Sequence, residues 1–98
     1  MPNYFTYITT NPVRTVLYVG MTNDLEIRII EHFLNRGDKK TFAGRYYCYN
    51  LIYYERFDRP SYAIEREKEL KAKSRKQKEE LIATINPHWN FWNDKIMD

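Results

Sequence analysis

Cysteine is nearly missing from this 98-residue chain. Cys48 stands alone, so no internal disulfide can form, and the small secreted scaffolds held by several bridges are excluded. A single thiol suits a reducing compartment, and between Tyr47 and Tyr49 it reads as buried filler rather than as a nucleophile. Glycine (three) and proline (four) are scarce, which removes collagen-like and low-complexity classes. No apolar run approaches the ~18 residues of a membrane helix. Met1-Pro2-Asn3-Tyr4 lacks the basic and apolar regions of a signal peptide. The expectation is a soluble, cytoplasmic protein with no membrane partner, folded as a single domain over residues 1–98. A chain of this length buries roughly two-thirds of the surface its unfolded form exposes, enough for one modest core.

Charge and aromatics are present in quantity and unevenly placed. Between Arg66 and Lys78 seven basic residues face two acidic ones, a net +5 in a chain whose total is +3, so the remainder carries −2. A basic stripe on a near-neutral body is the electrostatic footprint of a polyanion binder, although a solvated lysine-rich helix face has the same composition. Nine tyrosines are many for this length, but tyrosine is good core and interface material, so the count alone implies no chemistry.

The pattern along the chain predicts six elements. Residues 4–10 are β-branched and aromatic and read as a strand. Asn11-Pro12 turns the chain into a second strand over 15–20, a hairpin with a loop of about four residues. Gly20 ends that strand, where a backbone without Cβ can turn sharply or approach a ligand. Asn23 reads as an N-cap with Glu26 in the capping-box position. Leu25, Ile29, Ile30, Phe33 and Leu34 then recur at helical spacing, predicting an amphipathic helix over 24–36 that stops at Gly37. Residues 37–48 have no period and read as a loop, and Asn50 to Phe57 as a third strand. Asp58 and Pro60 open a second helix running to about Lys73, with Pro60 in its first turn. Ser74 and Gln77 form a capping box that restarts a third helix, with an apolar face of Leu81, Ile82 and Ile85. Asn86-Pro87 stops it, and the aromatics of the tail are expected to pack back on the body. The order β-β-α-β-α-α implies an α/β fold of the α+β type: a small three-stranded, mainly antiparallel sheet flanked by helices.

Several residues sit awkwardly in a purely structural role. Arg28 and His32 are four apart and share a helix face, with Arg28 beside the Leu25/Ile29 stripe. Taken singly, each fits a snorkelling arginine or a boundary histidine. Glu67 lies four residues after Ala63 and three before Leu70, inside an apolar stripe. A carboxylate there needs a partner, either an arginine or a metal ion, because desolvating an unpaired ion costs several kcal/mol. Tyr7 and Tyr18 belong to neighbouring strands. With Gly20, Arg28 and Glu67 they supply two phenols, a fixed cation and a carboxylate, the parts for hydrolysing a phosphodiester with one metal. The carboxylate holds a hard divalent cation, Mg²⁺ or Mn²⁺. Cation and guanidinium neutralise phosphate charge, and a phenol hydrogen-bonds the attacking water and can take its proton. Base action near neutrality requires the phenol's ordinary pKa of about 10 to fall by roughly three units, with Arg28 and the metal as sources of the shift. Alternatively the metal acidifies the water and the phenol only orients it.

The runs Tyr4-Phe5-Thr6-Tyr7-Ile8, Leu17-Tyr18-Val19-Gly20 and Thr22-Asn23-Asp24-Leu25-x-x-Arg28-x-x-Glu31-His32 resemble the GIY-YIG nuclease family, in particular its small stand-alone bacterial members. Tyr53-Tyr54-Glu55-x-Phe57-Asp58, Ala63-Ile64-x-Arg66-Glu67-Lys68-x-Leu70-Lys71 and Asn86-Pro87-His88-Trp89 are similar to later parts of the same family. The resemblance implies a three-stranded antiparallel sheet and metal-dependent DNA strand cleavage. Position by position, it makes Tyr7 the first-motif tyrosine, a base or water-orienting phenol, and Tyr18 the second-motif tyrosine that contacts water or phosphate. It makes Arg28 the catalytic arginine, His32 the residue assisting the first tyrosine, and Glu67 the single metal ligand. The first motif reads Phe5-Thr6-Tyr7 in place of Gly-Ile-Tyr, and Val19 stands for Ile. Met21 stands where some members carry Lys, which shifts the burden of activation to His32, Arg28 and the metal.

The expected function is therefore a Mg²⁺- or Mn²⁺-dependent endonuclease acting on DNA with weak sequence preference and no small-molecule cofactor. Lys39, Lys40, Arg45, Lys68, Lys71, Lys73, Arg75, Lys76 and Lys78 would hold the backbone. Single-stranded, duplex and branched substrates all remain open. Tyr46, Tyr47 and Tyr49 are either base-stacking residues or sheet-edge packing. A catalytically silent nucleic-acid-binding module acting with a partner is the alternative. A purely structural interaction domain is the third reading, and it leaves Glu67 as an unexplained cost.

Overall fold

Seven consecutive β-branched and aromatic residues make Tyr4–Thr10 a strand, β1, at the centre of the sheet. The computed structural model describes residues 2–97. β2 (Leu17–Thr22) and β3 (Asn50–Phe57) flank β1 and both run antiparallel to it, in the order β2-β1-β3. The hairpin loop is longer than expected because Asn11 organises it. Its Oδ1 accepts from the Thr15 and Val16 amides at 2.8 and 3.0 Å, and its Nδ2 donates to Thr15 Oγ1 at 2.8 Å. The second strand consequently starts at Leu17 and continues through Gly20, which lies within the strand rather than at its end.

A break in the β1–β3 register between Ile8 and Thr9 leaves Ile52 and Tyr53 in the same core. With Ile8 and Val19 they pack against Leu70 of α3 (Pro60–Ala72) and Ile82 of α4 (Arg75–Ala83). A second core gathers Tyr7 and Leu51 against Leu25 and Ile29 of α1 (Leu25–Leu34). Helices thus cover both faces of the sheet, which is the α+β arrangement expected.

The helix ends follow local chemistry. Asp24, not Asn23, caps α1, its carboxylate accepting from the Ile27 amide at 3.0 Å, so no capping box forms with Glu26. The buried stripe of α1 is Leu25, Ile29 and His32, while Ile30, Phe33 and Leu34 are exposed. The helix is rolled away from its most apolar face because His32 finds a partner in the sheet. Pro60 occupies the first turn of α3 as expected, and Ala63 and Leu70 are fully buried, but Ile64 is exposed. Ser74 and Gln77 close the predicted capping box of α4. Ile85 lies beyond that helix and is half exposed, so it does not extend the apolar face. Buried Asn86 instead ties the tail down, its Nδ2 donating to the Ile52 and Asn90 carbonyls and its Oδ1 accepting from the Asn90 amide, all at 2.9 Å. The tail ends in a short helix, α5 (Asn93–Ile96), and Trp89 and Trp92 pack on the two cores.

The segment 37–48, expected to be a loop, contains one helical turn, α2 (Phe42–Arg45), capped by Thr41 Oγ1 accepting from the Gly44 amide at 3.0 Å. A Cβ at Gly44 would lie 2.5 Å from the Asp38 carbonyl oxygen and 2.9 Å from that of Asn35. Only glycine lets this turn press against the end of α1. No helix among the described residues is long and apolar enough to cross a membrane.

Candidate active site

Tyr7 pairs with Gly20 across the β1–β2 ladder, and its side chain is fully buried. A Cβ at position 20 would lie 2.5 Å from Tyr7 Cζ and 2.9 Å from Tyr18 Cε2. Gly20 is therefore the space into which both phenols fit, and it lies within the strand rather than at a sharp turn. Above it the Tyr7 hydroxyl meets two residues of α1. Its oxygen lies 2.7 Å from His32 Nε2 and accepts from Arg28 Nε–H at 3.3 Å.

The protons can be assigned from chemistry. Arginine only donates, and with no other acceptor for the phenol hydrogen among the described residues, the arrangement that satisfies every group has Tyr7 donating to an unprotonated His32 Nε2. Burial first, and the charge of Arg28 second, push the His32 pKa down to about 4, so the ring is neutral near pH 7 and accepts. The Tyr7 pKa moves the other way from expectation. Burial raises it strongly, the Arg28 hydrogen bond lowers it by less, and the charges of Tyr18 and Glu67 raise it further. The required three-unit fall is thus not supplied by the protein, because desolvation of a fully buried phenol outweighs one guanidinium.

Tyr18 is the phenol nearer solvent. It packs edge-on to His32 at 5.4 Å and lies nearly parallel to Phe42, the centroids 6.2 Å apart. It borders two openings. One is a cleft of about 120 Å³ shared with Arg28, His32, Asn35 and the α2 turn. The other is a groove of about 270 Å³ that also touches Leu17, Val19, Phe42, Lys71 and Lys78. Arg28 is anchored a second time, by Nη1 donating to Glu31 at 3.2 Å, while its Nη2 makes no hydrogen bond among the described residues.

Glu67 is partly buried, its side chain 24% exposed, and its only ion pair among the described residues is a long one of 3.6 Å to exposed Lys71. It does not form the arginine salt bridge that was one of its two expected fates. Neighbouring Arg66 turns to Glu55, meeting both carboxylate oxygens at 3.0–3.1 Å, and to Glu69 at 3.0 Å. Glu67 is nevertheless close enough for its charge to act on Tyr7. Among the described residues no group of three or more histidine, cysteine or acidic side chains is placed to hold a metal, so a cation at Glu67 would have at most two such ligands from the protein. That donor set fits Mg²⁺, which keeps several waters and is often held by one or two carboxylates together with substrate phosphates.

The basic residues divide. Lys71 and Lys78 line the groove beside Tyr18. Lys39, Lys40 and Arg45 are exposed around α2, with Arg45 donating to the Lys39 carbonyl at 3.0 Å. Lys68 and Lys76 are exposed and Lys73 is half-buried. Arg75 is engaged by Glu79 at 3.1 Å and the Thr15 carbonyl at 2.9 Å. Tyr46 and Tyr47 are half-exposed, whereas Tyr49 packs edge-on to Phe33 at 5.3 Å. The α2 wall, with Phe42, Asn35 and Thr41, is the part the sequence reading missed. Its one signal was a threonine three residues before a glycine, a cap for a single turn.

A protein-family model described as the GIY-YIG catalytic domain matches residues 3–80. The chain belongs to the GIY-YIG family. A UPF0213 protein of Natronomonas pharaonis is 40% identical over 81 residues, covering 83% of this chain and 92% of that one. A UPF0213 protein of Staphylococcus saprophyticus is 43% identical over 67 residues, covering 68% and 79%. The solution NMR structure of the UPF0213 protein BH0048 from Bacillus halodurans superposes with a TM-score of 0.54 at 26% identity, covering 89% of each chain. GIY-YIG is a nuclease family.

Proposed function

We propose that this GIY-YIG protein is a divalent-cation-dependent endonuclease that hydrolyses DNA phosphodiesters with weak sequence preference. One observation carries the reading: the Tyr7 hydroxyl ties Arg28 to His32 beside the ring of Tyr18. Tyr7, Tyr18, Arg28 and His32, from three separate elements, are in mutual contact, which supports the reading.

Arg28 holds a phosphate oxygen through the part of its guanidinium that Tyr7 and Glu31 leave uncommitted, and neutralises charge that builds in the transition state. Tyr18, the phenol bordering the cleft, orients the attacking water. Tyr7, buried and with its pKa raised, serves as the anchor that fixes the Arg28 side chain, and neutral His32 in turn fixes the Tyr7 proton. Of the two routes open from the sequence, orientation of water by a phenol is thereby favoured over a preformed phenolate base. Glu67 would hold the cation, which when bound supplies Lewis-acid charge to the phosphate and acidifies water. Lys71 and Lys78, which line the groove beside Tyr18, engage the backbone, which carries no sequence information directly.

The test is cleavage of single-stranded, duplex and branched DNA with Mg²⁺ or Mn²⁺. The expected result is cutting that stops with a chelator and is lost in Arg28→Ala and Glu67→Ala, with circular dichroism unchanged. If all three substrates survive excess enzyme, the nuclease reading gives way to a silent binding module.

A further inference from the structure

We infer that the groove between β2 and the α2 turn is a subsite for one unpaired nucleotide next to the cleaved phosphate, with Phe42 as its stacking residue. This rests on the nuclease reading above. Four observations lead to it. Phe42 is 51% exposed although it is a large apolar side chain. It does not stand alone: Tyr18 lies nearly parallel on one side at 6.2 Å and Tyr46 is tilted against it at 4.8 Å, making a continuous aromatic surface. The groove is lined besides by the apolar pair Leu17 and Val19 and by the ammonium-bearing Lys71 and Lys78. Tyr18 is shared with the cleft that holds Arg28 and His32, so the groove opens directly onto the catalytic residues.

An aromatic surface beside two ammonium groups matches a nucleotide, one face for the base and two cations for the flanking phosphates. It does not match a base inside a duplex, where neighbouring bases cover both π-faces and only the edges are open. An aromatic ring offered to solvent at the cutting site therefore finds a partner only in a base that has lost a stacking neighbour, as in a single strand, a frayed end or a branch point. Phe42 then sets substrate class rather than chemistry, while Lys71 and Lys78 add salt-sensitive affinity.

The experiment uses the whole protein in chelator, so that binding is read without cutting. The probes are a short single-stranded DNA carrying 2-aminopurine and the matching duplex. Wild type and Phe42→Trp should quench the 2-aminopurine emission on binding. Phe42→Ala and Phe42→Leu should not, and their ratio of single-strand to duplex affinity should fall about 5- to 150-fold, the equivalent of the ~1–3 kcal/mol removed per stacked base. Phe42→Leu keeps the apolar contact with Tyr18 and Tyr46, so a loss there reports the missing ring rather than a disturbed fold. An unchanged ratio in both variants, or quenching that persists in them, overturns the subsite. If the metal-loaded protein still cuts DNA in that case, the nuclease reading survives alone. If the wild type neither binds nor cuts any of the DNAs, both fall.

Discussion

Adding one methyl group at Gly20 should damage both the fold and the site. In Gly20→Ala the new Cβ would stand 2.5 Å from Tyr7 Cζ and 2.9 Å from Tyr18 Cε2, against the ~3.5–4.0 Å of an ordinary carbon contact. The Tyr7 ring must retreat by roughly 1 Å, yet it is fully buried among Leu25, Ile29 and Leu51. Overpacking of this kind costs about 1–3 kcal/mol. The same shift pulls the hydroxyl from His32, now at 2.7 Å, and from Arg28, at 3.3 Å, and a buried polar group left unpaired adds about 1–3 kcal/mol. The expected total is about 2–6 kcal/mol, read as a lower urea midpoint with unchanged slope by fluorescence of Trp89 and Trp92. A double-mutant cycle isolates the cause. With Tyr7→Leu in place the ring is gone, so Gly20→Ala should cost at least about 1 kcal/mol less than in wild type. An alanine variant within about 0.5 kcal/mol of wild type, or a strictly additive cycle, would show that Gly20 is not the space that seats Tyr7.

Further tests address the charges around that phenol. His32 is held neutral with a folded pKa of about 4, below its ordinary 6.5. Its contribution to stability is therefore complete above pH ~6.5 and is lost as pH falls towards 4, a drop of about 3 kcal/mol by linkage. Wild type should lose that much more than His32→Gln over this window, and an NMR titration midpoint near the ordinary value would refute the burial argument. Arg28→Lys keeps the charge but loses the planar fork that donates through Nε to Tyr7 and through Nη1 to Glu31 while leaving Nη2 for phosphate, so cleavage should fall on the order of 10²–10³-fold with little change in melting; equal activity would remove Arg28 from the transition state. Arg66→Ala should lower stability by about 2 kcal/mol by freeing Glu55, whereas Lys78→Ala should leave stability intact and flatten the salt dependence of DNA binding by about 0.9 per contact. The reverse pattern would mean that Arg66, not Lys78, meets phosphate.

The parts legible in the sequence were those encoded by short-range regularity. β-Branched and aromatic runs placed β1 and β3 to the residue, and Pro60 with the Ser74–Gln77 capping box placed the starts of α3 and α4. The spacing of Arg28 and His32 put both on one helix face, and a carboxylate in an apolar stripe singled out Glu67. The same reasoning failed where a distant partner decided the outcome. Leu25, Ile29, Ile30, Phe33 and Leu34 predict one rotation of α1, but Tyr7 draws His32 inward and leaves three of those five exposed. Residues 37–48 carry no period, because a single capped turn is too short to show one, and so the α2 wall of the cleft went unseen.

Composition and periodicity by themselves determined the three strands and the main helices, while the resemblance of short motifs pointed to the family that the family-model match shows. Tertiary structure alone decided which phenol is sealed and which faces the cleft, that Tyr7 is raised rather than lowered, and that Arg66 serves Glu55 while Lys71 and Lys78 border the groove. The physical reason is range. Strand and helix patterns depend on neighbours a few residues away, whereas desolvation and charge coupling depend on whatever the fold brings within a few ångströms from anywhere in the chain.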